Sequence, residues 1–218
     1  MFEFPNFGPD ISRVSGFIEL GHDVYARLFL PLERTGTGHY VPWRVAAKRF
    51  GLVFDAYTTW DNLSLAVAAE TGIGWELPRG TADDKTVHAL VEAIATESVM
   101  GAATPTSFAL WEGYAGDIDE TLRESSIPIP ATGANFLCDW SYRLLTARLD
   151  WTLTRTNEHR RRFPTAVWPA DRSFVLASPP YQDSIYVSCS RAMFGAACAA
   201  GLDLLEIDPD APLPSRGD

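Results

Sequence analysis

Ser173-Phe174-Val175-Leu176-Ala177 and Ser184-Ile185-Tyr186-Val187-Ser188 are two short runs rich in β-branched, aliphatic and aromatic residues. Ser178-Pro179-Pro180-Tyr181-Gln182-Asp183 joins them with turn chemistry, so the pair predicts two strands. A helix is expected next, from Ser190 to Ala200, stopped by Gly201. Leu204-Leu205-Glu206-Ile207 then reads as a short strand. Upstream, Ser107-Phe108-Ala109-Leu110-Trp111 is a further candidate strand. From Leu144 to Thr154 apolar and polar residues alternate, with Leu145, Ala147, Leu149, Trp151 and Leu153 on one side. That period of two predicts one long strand.

Towards the N-terminus the pattern turns helical. Pro42 suits a first helical position and Gly51 a position just past the end. Trp43, Ala46, Ala47 and Phe50 fall between them on one face. A second helix is expected from about Thr59 to Glu70, ended by Gly72 and Gly74. The clearest helix follows Thr81. Asp83 and Asp84 favour its positive end, and Val87, Leu90, Val91 and Ile94 form an apolar stripe. Before these, Ser15–Leu20 and Val24–Leu30 flank Gly21-His22-Asp23 and predict a hairpin. Helices mostly early and strands mostly late predict an α+β fold, a mostly antiparallel sheet packed with three or four helices. One domain is expected over residues 1–208, with a flexible Pro/Asp-rich tail at 209–218.

The 218 residues are 46% hydrophobic, 21% charged and 12% aromatic, an ordinary globular composition. A domain this long can bury roughly 70% of the surface its unfolded chain exposes, so folding needs no metal or disulfide. The formal net charge of −10 argues against a surface that tracks phosphates over the whole protein. No window approaches 18 uninterrupted apolar residues, so no membrane span is read. Met1-Phe2-Glu3-Phe4-Pro5-Asn6 lacks the basic and apolar regions of a signal peptide, which predicts a cytoplasmic protein. Cys138, Cys189 and Cys198 have no CxxC spacing and read as reduced core thiols.

Motifs of known chemistry are few. There is no GxGxxG, P-loop or GxSxG stretch, and no cofactor is expected. His22, His39, His88 and His159 stand alone, so no metal site is expected. Asp117, Asp119 and Glu120 form an acidic cluster that reads as a solvated loop, an acid/base pair or a cation site. His159-Arg160-Arg161-Arg162 is the only basic run. The tryptophans are more informative: there are seven, several beside a charge. A buried indole N–H needs a partner, and aromatics with Arg and carboxylates build ligand pockets and interface hot spots. The candidate ligand- or partner-binding residues are Trp43, Arg44, Trp111, Glu112, Tyr114, Trp168, Asp171 and Arg172. None is assigned a catalytic role.

Phe108-Ala109-Leu110-Trp111-Glu112-Gly113-Tyr114 is similar to the "FxLWEGYG" stretch of a family of uncharacterised proteins common in actinobacteria. Trp168-Pro169-Ala170-Asp171-Arg172-Ser173-Phe174 is similar to the family's "WPADRSW" stretch. A "D-x-D…TxVGGS" pattern follows in the family. Here Ser188 and Cys189 replace its two glycines and one acidic position is lost. Val41–Ala46 and Trp75–Gly80 also fit the family's layout, so the resemblance spans roughly residues 15–208. It implies one intact domain and supplies no catalytic residue.

Three functional expectations follow. The favoured one is a non-catalytic cytoplasmic binding protein, such as an immunity or antidote protein whose acidic charge steers it onto a basic protein partner. The alternative is an enzyme or small-molecule binder in which Glu112, Asp171 and Arg172 share a pocket. A weaker one has Arg160–Arg162 docking on nucleic acid.

Overall fold

The computed structural model describes residues 3–35, 37–68, 74–77, 82–113, 118–129, 137, 140–153, 162–180 and 182–214. In chain order the strands are β1 (Val24–Phe29), β2 (Leu32–Arg34), β3 (His39–Val41), β4 (Trp75–Glu76), β5 (Pro105–Trp111) and β6 (Ile127–Ile129). They continue with β7 (Tyr142–Arg148), β8 (Ala166–Pro169), β9 (Val175–Ala177), β10 (Ser184–Cys189) and β11 (Leu204–Glu206). The α-helices are α1 (Trp43–Arg49), α2 (Trp60–Ala68), α3 (Asp84–Glu97), α4 (Glu120–Ser125) and α5 (Arg191–Ala199). Eight strands form one sheet in the order β11-β1-β10-β9-β8-β5-β7-β6, and β3-β2-β4 form a second, small sheet. Every neighbouring pair is antiparallel. The fold is therefore α+β, as the sequence predicts.

The large sheet is covered on both faces, which explains why its strands read as nearly continuous apolar runs. In β5, Phe108 and Leu110 face one core while Ala109 and Trp111 face the other. In β10, Ile185, Val187 and Cys189 take the first side and Tyr186 the second. The first core is capped by α3 and α5 through Val87, Leu90, Val91, Ile94, Met193 and Ala197. The second is covered by the N-terminal segment (Phe7, Val14, Phe17, Ile18) and by Ile207 and Ala211 near the C-terminus. A third cluster under the small sheet gathers Phe29, Leu32, Trp43, Ala46, Leu63 and Val67.

Local signals set the helix ends. The Asp83 carboxylate accepts from the Thr86 N–H at 3.2 Å and the Ser190 hydroxyl from the Met193 N–H at 3.0 Å, each satisfying an orphan donor of a first turn. Gly51 and Gly201 follow the helices with φ of 68° and 82°, a region costly for residues with a Cβ. Pro42 stands one residue earlier than expected, at the cap of α1 rather than in its first turn.

Three sequence expectations are corrected. The first arm of the hairpin is a 3-10 turn, Val14–Phe17, and Glu19 bridges to Phe7. β1 is a central strand flanked by β10 and β11, so both of its edges are already taken. Gly16 fixes the compact path before it, because a Cβ there would lie 2.5 Å from the Asp10 carbonyl oxygen. The long strand from Leu144 also ends early, at Arg148. The Leu149 and Asp150 N–H groups turn away to the carbonyls of Thr104 and Ala102, and residues 151–153 are helical. The expected apolar side survives this turn: Leu145, Leu149, Trp151 and Leu153 all pack on the first core. At the C-terminus, residues 209–214 do not stand free as a tail from 209 implies. Ser15 and Val14 donate to the carbonyls of Pro209 and Ala211, and Leu213 donates to that of Ser12. Among the described residues no helix is long and apolar enough to cross a membrane.

Candidate functional site

The expected tryptophan and charge candidates divide among separate places. Trp43 is fully buried in the third cluster, its indole N–H donating to the Leu30 carbonyl at 2.8 Å. Trp168 is buried on the second core beside Phe4. Trp111 stacks on Trp140 with ring centroids 4.6 Å apart, and its ring lies so close over Gly113 that a Cβ there would sit 2.2 Å away. That contact explains the glycine two places after the tryptophan in the Trp111-Glu112-Gly113 stretch. Glu112 meets Arg123 at 3.2 Å and Arg143 at 3.6 Å. Arg143 in turn donates to the carbonyls of Arg123 and Ser126, clipping the end of α4. Tyr114, Asp117, Cys138, Arg160 and Arg161 lie outside the described residues.

Asp171 and Arg172 sit at the other end of β5. Its register pairs Thr106 with Pro169, while Glu112 follows Trp111 at the opposite end. From Thr106 to Glu112 the chain advances roughly 20 Å, so Glu112 shares no hydrogen-bonded site with Asp171 and Arg172. Asp171 shapes its own turn by accepting from the Ser173 N–H at 3.0 Å. Arg172 adopts a left-handed backbone with φ 51° and donates to Glu19 at 2.8 Å and Glu3 at 2.7 Å. Glu19 is itself buried, and its N–H donates to the Ser188 hydroxyl at 3.1 Å. Arg172 thus ties the N-terminal segment, through Glu3 and Glu19, to the turn that follows β8.

Sequence reasoning missed the most deeply buried charge pair. Arg27 is 1% exposed and bonds to the Asp183 carboxylate at 3.0 Å, the Ser184 hydroxyl at 2.7 Å and the carbonyls of Ala56 and Thr58. Its guanidinium also lies 4.1 Å from the Phe29 ring centroid. The available signal was an arginine inside the apolar run Val24–Leu30. Its bonds tie the loop before α2 to the sheet. Nearby, burial pushes the pKa of the Tyr186 hydroxyl up, and that hydroxyl has no hydrogen-bond partner among the described residues.

Of the expected residues, Arg44 lines a cleft. The cleft holds about 220 Å³ between the start of α1, the first two turns of α3 and the turn from α5 to β11. Arg44 pairs with Asp203 at 2.7 Å and donates to the Gly201 carbonyl at 2.6 Å. The Arg44 N–H also donates to the Asp203 carboxylate at 3.2 Å, so Asp203 anchors the start of α1. Burial raises the Asp203 pKa, and the Arg44 contacts partly offset the rise.

The joined chain ends form an acidic ridge. Residues 12–15 bond to residues 209–213, so the segment that carries Asp10 pairs with the segment that carries Asp208 and Asp210. All three carboxylates are exposed, and the cation bonded there is Arg13, which meets Asp10 at 3.4 Å and the Asp210 carbonyl. Bonds from the Ser12 hydroxyl and N–H hold the Asp10 pKa below the usual carboxylate value. Ile11, 46% exposed, stands within the ridge. Among the described residues no three His, Cys, Asp or Glu side chains group as metal ligands. No known protein family, curated protein or solved structure matches the chain.

Proposed function

We propose that this chain is a non-catalytic cytoplasmic binding protein of the antidote kind, which covers a basic protein partner. The observation that carries the reading is the ridge, where Asp10, Asp208 and Asp210 are exposed, Arg13 pairs with Asp10 alone among the described residues, and an exposed Ile11 supplies apolar contact. Complementary charge steers encounter and excludes wrong partners, while an apolar centre adds affinity. The formal charge of −10 adds the long-range field. The separation of Glu112 from Asp171 and Arg172 removes the support for a pocket built on those three.

The test is affinity isolation from the native host with the chain as bait. A basic protein should be recovered in stoichiometric amount. Asp10→Asn, Asp208→Asn and Asp210→Asn combined should reduce its recovery at least about tenfold, because three neutralised rim charges each cost a modest fraction of a kcal/mol to about 1 kcal/mol. Asn preserves the turn bonds that the Asp10 and Asp208 carboxylates accept. Absence of a stoichiometric partner, or one retained equally by the triple variant, overturns the reading.

A further inference from the structure

Helix α3 ends in a knuckle whose residues touch nothing within the chain. Val99 is fully exposed and Met100 more than half exposed, side by side. Their turn is tied down: Gly101 donates to the Ser98 carbonyl at 3.0 Å, Ala103 donates to that of Met100 at 3.2 Å, and the Ser98 and Thr104 hydroxyls bond to each other. A turn held in this way shows two apolar side chains already ordered for contact. Glu97, exposed in the last turn of α3, is a carboxylate where the helix dipole disfavours one. Lys85, exposed in the first turn, is a cation at the other disfavoured end. Neither has an ion pair among the described residues. Lys85 also borders the cleft, together with Arg44. The wall that the cleft presents is apolar: Pro31, Tyr40, Pro42 and Ala89, each half-buried, and exposed Ala200. Its two carboxylates are committed, Asp203 to Arg44 and Asp83 to the cap of α3, and exposed Asp84 does not line it. At about 220 Å³ the space is smaller than a drug-sized pocket and suits one or two aliphatic side chains.

We propose that this chain associates head to tail, the Val99–Met100 knuckle of one copy entering the cleft of the next, with Glu97 against Lys85. An apolar knob then meets an apolar hollow, the two unpaired charges are complementary, and the negative end of one α3 dipole meets the positive end of the next. Knuckle and cleft stand at opposite ends of a 14-residue helix, roughly 20 Å apart, so no copy fills its own cleft. The contact is heterologous and builds a ring or an open chain, not a closed dimer. It uses the α3 side of the molecule, over the first core, whereas the acidic ridge belongs to the segments over the second. Self-association and a partner on the ridge are therefore tested separately.

Sedimentation velocity on the full chain at low salt tests this. The weight-average mass should rise with concentration up to about 0.5 mM without stopping at a dimer. Val99→Ser combined with Met100→Ser should weaken association at least about tenfold, since two apolar side chains lose their burial. Lys85→Glu and Glu97→Lys should each weaken it at least about fivefold by setting like charges against each other. Both reversals agree with the α3 dipole, so their thermal midpoints should hold or rise, which separates a lost contact from lost folding. Mixed in equal amounts, the two reversed variants should associate as the unaltered chain does, because opposite charges face each other again at every junction. An unaltered chain that stays monomeric at about 0.5 mM, association unchanged in the knuckle variant, or a mixture no more associated than its two components would overturn the proposal.

Discussion

Arg27→Met is expected to lower the stability of this protein by about 3–5 kcal/mol, because it strands a buried carboxylate. Arg27 and Asp183 are 1% and 3% exposed, so water cannot replace the lost guanidinium at Asp183. The substitution also removes the donors to the Ala56 and Thr58 carbonyls, the bonds that hold the loop before α2. Urea denaturation followed by tryptophan fluorescence measures the loss. The double variant Arg27→Met with Asp183→Leu should recover part of it, since the uncompensated charge is gone. Equal losses in the single and double variants would show that the pair contributes only through packing and through the loop bonds.

Trp43→Ala is the second large effect, also about 3–5 kcal/mol. The indole is 0% exposed, lies 5.1 Å from Phe29 and 6.4 Å from Trp60 between ring centroids, and donates to the Leu30 carbonyl. Truncation therefore opens a cavity and leaves a carbonyl without its donor. Trp43→Phe restores most of the volume and should cost about 1–3 kcal/mol, chiefly for the lost bond. Thermal unfolding of both variants distinguishes this structural role from a binding role. A tryptophan whose work lies at the surface would lose less than about 0.5 kcal/mol on truncation.

The sequence was legible where a signal is local and periodic. The α3 stripe, the helix after Ser190 and the β9–β10 pair all follow from spacing and turn chemistry within ten or so residues. It was illegible where the partner is distant. β1 binds strands about 160 and 180 residues later in the chain, as Val24 pairs with Cys189 and Leu28 with Leu204, so the adjacent Ser15–Leu20 segment was the wrong arm. The small sheet has strands of two or three residues, too short to show a period. The strand after Leu144 misled in another way. Its alternation is real in burial, but the chain folds over Gly101–Ala103 and keeps the same side inward.

The candidate site was less legible than the fold. Tryptophan beside charge is a sequence pattern, yet Trp111 lies over a glycine, Trp168 is core, and Arg172 anchors two N-terminal carboxylates. Arg44 was found, but its neighbours Asp83, Lys85 and Asp203 come from two other parts of the chain. The ridge was equally hidden, because Asp10 and Asp210 are joined only by the pairing of the two chain ends.

The most direct measurement is the association rate constant between this protein and the partner isolated from its host, followed by stopped flow from low to high salt. Steering by the acidic ridge predicts a fall of at least about tenfold between roughly 0.05 and 0.5 M ionic strength, with the dissociation rate nearly constant and the slope flattened in the Asp10, Asp208 and Asp210 triple variant. A rate indifferent to salt, or a slope identical in the triple variant, would contradict a partner that docks on the ridge.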